Sequence, residues 1–194
     1  MSEIETTAAR LAHVQALKQL PRTGWLLAGI RQPESVADHS FAMSWLAILL
    51  AETINVDYRA QGLTAPLQVA HLLQIALVHD LAECLLTDLP KRSTELIGKE
   101  VKHQAEADAL AQFFQQMPNR AHYQACWQEY VEGITPEGRL VRDADKLEMI
   151  HQALCYEQTG QRNLHEFWQG HQWHYPASRN LFDEFCRFRS NRHS

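Results

Sequence analysis

The chain has no cysteine pairing pattern. Cys84, Cys126, Cys155 and Cys186 are widely separated and never form Cys-x-x-Cys. Three of them lie in helical apolar patterns, so the expectation is reduced core thiols and a cytoplasmic protein rather than a disulfide framework. Long apolar runs are missing too. The longest, around Trp45 to Ala51, falls far short of the ~20 residues of a membrane span. The N-terminal stretch MSEIETTAARLAHVQ has acidic residues and no apolar leader core. Neither export nor membrane insertion is expected. Positive charge is also scarce: 18 Lys and Arg against 23 Asp and Glu give −5. This argues against a nucleic-acid polymer as partner, because such affinity rests on many cations neutralising phosphates. A small phosphorylated ligand remains compatible, since one metal and a few local cations could offset its charge. Arg22, Arg31, Lys91, Arg92 and Lys146 lie close in sequence to the polar residues discussed below. Finally, there is no period-2 run rich in Val, Ile and Thr, no repeat and no low-complexity linker, which leaves an all-α fold.

At 194 residues a single domain is expected, large enough to bury about 70% of the surface its unfolded chain exposes. Thr6 or Thr7 can cap a helix running through about Leu20, with Leu11, Val14 and Leu17 at helical spacing. The stretch LPRTGWLLAGIRQPE, with two prolines and two glycines, then breaks the pattern as a loop of functional length. Ser35 followed by Asp38 resembles a capping box. The helix it opens is apolar nearly all round from Phe41 to Leu50, which predicts a central position. Thr64 and Pro66 signal the next start, of one helix reaching about Leu86 before Asp88-Leu89-Pro90 stops it. A less apolar helical stretch from about Ser93 to Met117 is interrupted at Gly98, and Asn119 can cap a helix ending at Gly133. Pro136 opens another that runs through Asp145 to Gly160, and shorter helices near Asn163 and Ser178 finish the chain.

His39, the pair His79-Asp80, and Asp145 stand in the strongly helical stretches ADHSFAMSWLAILL, LLQIALVHDLAECLL and VRDADKLEMI. An unpaired imidazole or carboxylate buried there would cost several kcal/mol, and one divalent metal could neutralise all four. Two imidazoles and two carboxylates suit Mn, Fe, Co, Ni or Zn better than an all-oxygen Mg or Ca site. On a helix Glu83 lies beside both His79 and Asp80. A metal makes water easier to deprotonate and polarises a phosphoryl oxygen, so these are the parts of a phosphate-ester hydrolase. Glu83 and Asp88 would handle protons, and Arg22 would clamp a phosphate through its guanidinium. Taken singly, the residues have ordinary readings as well. His79 and Asp80 could be a helix C-terminal imidazole and a capping carboxylate, and His39 a core histidine or cap.

The segments PRTGW, ESVADHS, HDLAE with the following TDLP, and DADKLEM closely resemble the HD-domain metal-dependent phosphohydrolases, and within them the 5'-deoxynucleotidase branch, over roughly Leu20 to Tyr156. The resemblance implies a helical bundle forming a single HD domain over residues 1–194, with a core at about 20–160 and the C-terminal helices packed on it. It implies one divalent metal on His39, His79, Asp80 and Asp145, leaving Asp143 as a cap or a partner of a ligand. It further implies functional roles for Glu83 and Asp88, a phosphate contact for Arg22, and a sugar contact for Trp25 that helps Asp88 reject a 2'-hydroxyl; a core tryptophan is the alternative for Trp25. The implied substrate is a deoxyribonucleoside 5'-monophosphate, and a homodimer is expected.

Other readings use the same metal on a cyclic nucleotide, guanosine tetraphosphate or a deoxynucleoside triphosphate. Two-metal relatives usually bring extra histidines after the HD pair, where this chain has Cys84, and a triphosphohydrolase carries more basic residues. A nonenzymatic, metal-stabilised interaction module is the remaining alternative, in which Glu83, Asp88 and Arg22 would have no purpose. His171 and His174 flank a turn and read as surface histidines, and the tail CRFRSNRHS reads as a solvated helix end.

Overall fold

The computed structural model describes residues 3–191. Along the chain α1 (Glu3–Leu17) and α2 (Thr23–Leu27) precede α3 (Val36–Val56), α4 (Val69–Val78), α5 (Glu83–Leu86) and α6 (Lys91–Ile97). Then come α7 (Lys99–Phe113), α8 (Arg120–Glu132), α9 (Pro136–Gln158), a 3-10 turn (His165–Trp168) and α10 (Pro176–Ser190). No strand occurs among the described residues; a lone antiparallel bridge joins Pro21 to Ser35.

The core lies where α3, α4, α8 and α9 pack on one another, with α10 laid across α9. Met43, Ala47, Ala51 and Ile54 of α3 are fully buried, as are Leu72, Ile75 and Ala76 of α4 and Leu140, Ala144, Leu147 and Ile150 of α9. Each set recurs every three or four residues, the spacing of one helix face. Helix α3 is central as expected, yet Phe41, Trp45 and Leu49 line an opposite face that remains exposed. Local signals account for most boundaries. Ser35 Oγ accepts from the Asp38 N–H while the Asp38 carboxylate accepts from the Ser35 N–H, a complete capping box. Gly98 separates α6 from α7, and Gly133 closes α8 in the left-handed region at φ 63°. Thr135 caps α9 with Pro136 in its first turn.

Two expected boundaries differ, each because side chains capture backbone groups, distant ones in the first case and a local one in the second. Helix α4 begins at Val69 rather than near Thr64. Asn55 accepts from the Leu67 N–H and donates to the Leu67 carbonyl, and Glu137 accepts from the Gln68 N–H, so these residues stay extended. The expected single helix to Leu86 is broken. Residues 79–82 tighten into i→i+3 bonds, with Leu81 N–H on the Val78 carbonyl and Glu83 N–H on that of Asp80. The Ala76 carbonyl, which a continuing α-helix would offer to the Asp80 N–H, accepts from His79 Nδ1 at 2.7 Å. By composition alone Val69–Leu86 could cross a bilayer, with mean hydropathy 1.5 over 18 residues. In the fold it is interrupted, and Leu72, Ile75, Ala76 and Ala82 belong to the core.

The C-terminal region also departs from expectation. His174 is no free surface histidine: its Nδ1 and backbone N–H, and the Tyr175 N–H, all donate to Asp143, which is fully buried on α9. His171 Nε2 pairs with the Phe167 carbonyl. Nor is the described part of the tail merely solvated. Arg189 makes two hydrogen bonds of 2.8 and 2.7 Å to the Glu157 carboxylate and lies 4.5 Å over the Trp168 ring. The remainder, residues 192–194, lies outside the described residues.

Candidate metal centre

Three elements deliver four side chains to one point. His39 projects from the first turns of α3, His79 and Asp80 from the break after α4, and Asp145 from the middle of α9. His39 Nε2 lies 3.4 Å from His79 Nε2 and 3.3 Å from Asp145 Oδ1. Asp80 Oδ2 lies 3.1 Å from His79 Nε2 and 3.7 Å from His39 Nε2. Both imidazoles use Nδ1 elsewhere, His39 toward Glu148 Oε2 at 2.5 Å and His79 toward the Ala76 carbonyl. Each Nδ1 therefore carries the hydrogen, and each Nε2 turns its other side to the centre. Two nitrogens and two carboxylate oxygens facing one another need a positive charge between them, and a divalent cation fits this donor set.

The electrostatics agree. Burial works to raise the Asp80 carboxyl, but His79, Arg22 and His39 outweigh it and hold it well below the usual carboxylate range. Asp145 is similarly held low against burial by its bond to His39 and the charges of His39 and His79. Tyr130 donates to its other oxygen, Oδ2, at 2.8 Å, which turns Oδ1 toward His39. Burial and Arg22 press His39 toward neutrality, yet Asp145 and Glu148 prevail and raise its pKa to about 9. A proton and a cation thus compete for the same nitrogen.

Arg22 precedes α2 and places Nη1 3.0 Å from Asp80 Oδ2. Burial opposes its charge, while Asp80, Asp145, Asp88 and Glu83 keep the guanidinium protonated. Glu83 is buried, with no hydrogen-bond partner for Oε2. Burial first, then Asp80 and Asp88, push its pKa up to about 10. Asp88 Oδ2 accepts from the Thr23 N–H, and its carbonyl accepts from Thr23 Oγ1, tying this loop to the first turn of α2. Thr87 just before it adopts φ 103° and ψ 161°.

Trp25 fits the core alternative: it is 2% exposed, packed 4.2 Å from Phe167 and edge-on to Tyr156, with Nε1 donating to Glu34 Oε1. The cations Arg31, Lys91 and Arg92 lie exposed, and Lys146 reaches the Gln172 carbonyl instead. Conversely, Lys102 of α7 went unnoticed in the sequence, where it shows only as an i,i+4 partner of Glu106. Its amine lies 3.4 Å from Glu106, and burial, which lowers its pKa, is outweighed by Glu106, Asp80 and Glu83. Glu148 and Tyr130 were missed too, although Glu148 follows Asp145 by one helical turn.

An all-helical bundle with this four-residue centre is the arrangement of the HD-domain proteins. The sequence matches the family described as HD domain over residues 14–180, and the chain belongs to it. Among curated relatives it is 38% identical over 164 residues to the 5'-deoxynucleotidase hdd1 of Schizosaccharomyces pombe, covering 79% of this chain and 75% of that protein. It is 35% identical over 147 residues to the human 5'-deoxynucleotidase HDDC2, covering 74% of this chain and 65% of that protein. A conserved hypothetical protein from Pyrococcus furiosus has a similar structure, with a TM-score of 0.78, 37% identity, and coverage of 93% of this chain and 99% of its own.

Proposed function

We propose that this protein is a metal-dependent 5'-deoxynucleotidase, releasing phosphate from deoxyribonucleoside 5'-monophosphates. The observation that carries the reading is the convergence of His39, His79 and Asp145, with Asp80 beside both imidazoles, next to the Arg22 guanidinium and the buried Glu83, whose Oε2 has no hydrogen-bond partner. It is supported by the activity that names the fission yeast and human relatives. A divalent cation held by those four residues would supply acidified water and polarise the phosphoryl oxygens. Mn, Fe, Co, Ni or Zn suits the two nitrogens and two oxygens better than Mg.

The chain's own groups do the rest. Arg22 aims its guanidinium across Asp80 and can take a phosphate by two parallel hydrogen bonds. Glu83, kept protonated by burial, can give its proton to the leaving 5'-oxygen. Asp88, fixed by Thr23, stands beside Arg22 and Glu83 where the sugar would enter, and excludes a 2'-hydroxyl. The exposed Phe41, Trp45 and Leu49 face of α3 would serve a homodimer, and four cysteines outside any disulfide suit a cytoplasmic location. The test is phosphate release by the purified protein from deoxyribonucleoside and ribonucleoside monophosphates with Mn, Co, Zn and Mg in turn. No release from any deoxyribonucleotide with a loaded cation would defeat the reading.

A further inference from the structure

The centre's ligands are held from behind in unequal ways. His79 leans on a neutral backbone carbonyl and Asp145 on a tyrosine hydroxyl, while His39 leans on a carboxylate. That carboxylate, Glu148, is 4% exposed and sits one helical turn beyond Asp145, so a single face of α9 presents both a ligand and the group behind another ligand. Glu34 closes the arrangement from the loop before α3. The polar atoms of Glu34, His39 and Glu148 lie within 4.8 Å of one another. Glu34 Oε1 accepts from Trp25 Nε1 at 2.8 Å, and its backbone N–H donates to the Tyr156 hydroxyl at 2.8 Å. Trp25 is clamped by Phe167 and Tyr156. The buried tryptophan of the PRTGW segment thereby connects through Glu34 and Glu148 to a metal ligand.

We propose that Glu148 is a positioning residue that sets how tightly the centre holds its cation, and that Trp25 holds the Glu34 carboxyl beside it. The inference rests on the reading of His39, His79, Asp80 and Asp145 as a metal centre. A carboxylate accepting Nδ1–H fixes the tautomer and ring orientation and makes Nε2 a stronger donor, which a neutral carbonyl does less well. Phe167 and Tyr156 confine the Trp25 ring, and the ring's N–H fixes the Glu34 carboxyl near Glu148 and His39.

The experiment measures Zn²⁺ and Co²⁺ affinity by competition with a chromophoric chelator, on full-length wild type, Glu148→Gln, Glu148→Ala, Trp25→Phe and a His39→Ala control. Glu148→Gln keeps the shape and an accepting oxygen but loses the charge, so affinity should fall about 10-fold, and about 100-fold in Glu148→Ala. Trp25→Phe, which loses the N–H together with part of the indole packing, should give a smaller loss of the same sign. Proton spectra of the zinc protein should show the His39 Nδ1–H strongly deshielded by its bond to the Glu148 carboxylate in wild type and shifted upfield in Glu148→Gln, which a merely structural loss would not produce. Should Glu148→Ala fail to fold, the isosteric Gln variant decides alone. Wild-type affinity in a folded Glu148→Gln protein overturns the proposal. Turnover of deoxyribonucleotides is assayed separately: its absence with affinities that change as expected defeats the functional reading alone, and intact turnover with unchanged affinities defeats this inference alone.

Discussion

Replacing Thr87 by glycine should make the protein more stable, although Thr87 lies next to the site. Its φ of 103° with ψ of 161° is a conformation that glycine adopts freely and a β-branched residue very rarely does. Such a residue carries about 1–3 kcal/mol of strain. The side chain is exposed, and the Thr87 N–H bond to the Glu83 carbonyl at 2.9 Å survives the change, so little packing is lost. Glycine's greater unfolded-state freedom takes back about 0.5–1 kcal/mol, leaving a net gain of about 0–2.5 kcal/mol, centred near 1 kcal/mol. For a domain of this size the central value raises Tm by about 2–4 °C. Calorimetry of the metal-loaded proteins is the assay, with Thr87→Ala as control, since alanine keeps the Cβ and should recover much less. A lower Tm in Thr87→Gly than in wild type would show that the strain argument is wrong. The strain is held in place by the two Thr23 bonds to Asp88, so Thr23→Val should lose stability and shift Asp88.

Glu83→Gln should keep cation affinity while lowering kcat by about 10²-fold or more, the scale of a lost general acid; an unchanged kcat removes Glu83 from the mechanism. Deoxyribose should be preferred over ribose by roughly 10- to 200-fold in kcat/KM, corresponding to about 1–3 kcal/mol against the extra hydroxyl, and Asp88→Ala should erode that ratio. In the presence of chelator, stability should fall as pH rises from about 5 toward 10. Glu83 and His39 both bind their proton more tightly folded than unfolded, at about 10 and about 9 against ordinary values of 4.5 and 6.5. Their contribution is therefore complete at low pH and lost as pH climbs through the folded values. Urea titrations across that range check the slope, and Glu83→Gln should flatten it.

Local chemistry explains which parts of this molecule could be read from residues alone. The capping box at Ser35, the glycines at 98 and 133 and the proline at 136 act within a few residues of themselves, so the helices they bound fall where the sequence places them. The four side chains that meet at the centre stand out because each is a polar residue in an apolar helical stretch. The break at residues 79–82 is different. Apolar spacing continues through it, and only the His79 contact to Ala76 turns the chain there. Likewise the delayed start of α4 depends on Asn55 and Glu137, which are distant in sequence. Burial of Trp25 needs Phe167, and the fastening of the tail needs Glu157 and Trp168, contacts that no periodicity encodes. Lys102 and Glu148 were hidden for a simpler reason: charged residues on helices are usually solvated, and only the packing of α7 and α9 turns these inward.

The bridge between Pro21 and Ser35 closes the neck of the loop before α3 through two hydrogen bonds. The Arg22 N–H donates to the Glu34 carbonyl at 3.0 Å, and the Val36 N–H to that of Leu20 at 2.9 Å. Arg22 and Glu34, at the neck, serve opposite sides of the centre, and the tip around Gly29 has open space about it. A loop sewn shut at its base can change length at its tip without moving its base. Gly29, just ahead of the buried Ile30, is thus a natural site for insertion or graft, where a peptide tag or a substrate-capping segment from another protein could be spliced while the phosphate contact and the support of His39 stay in register.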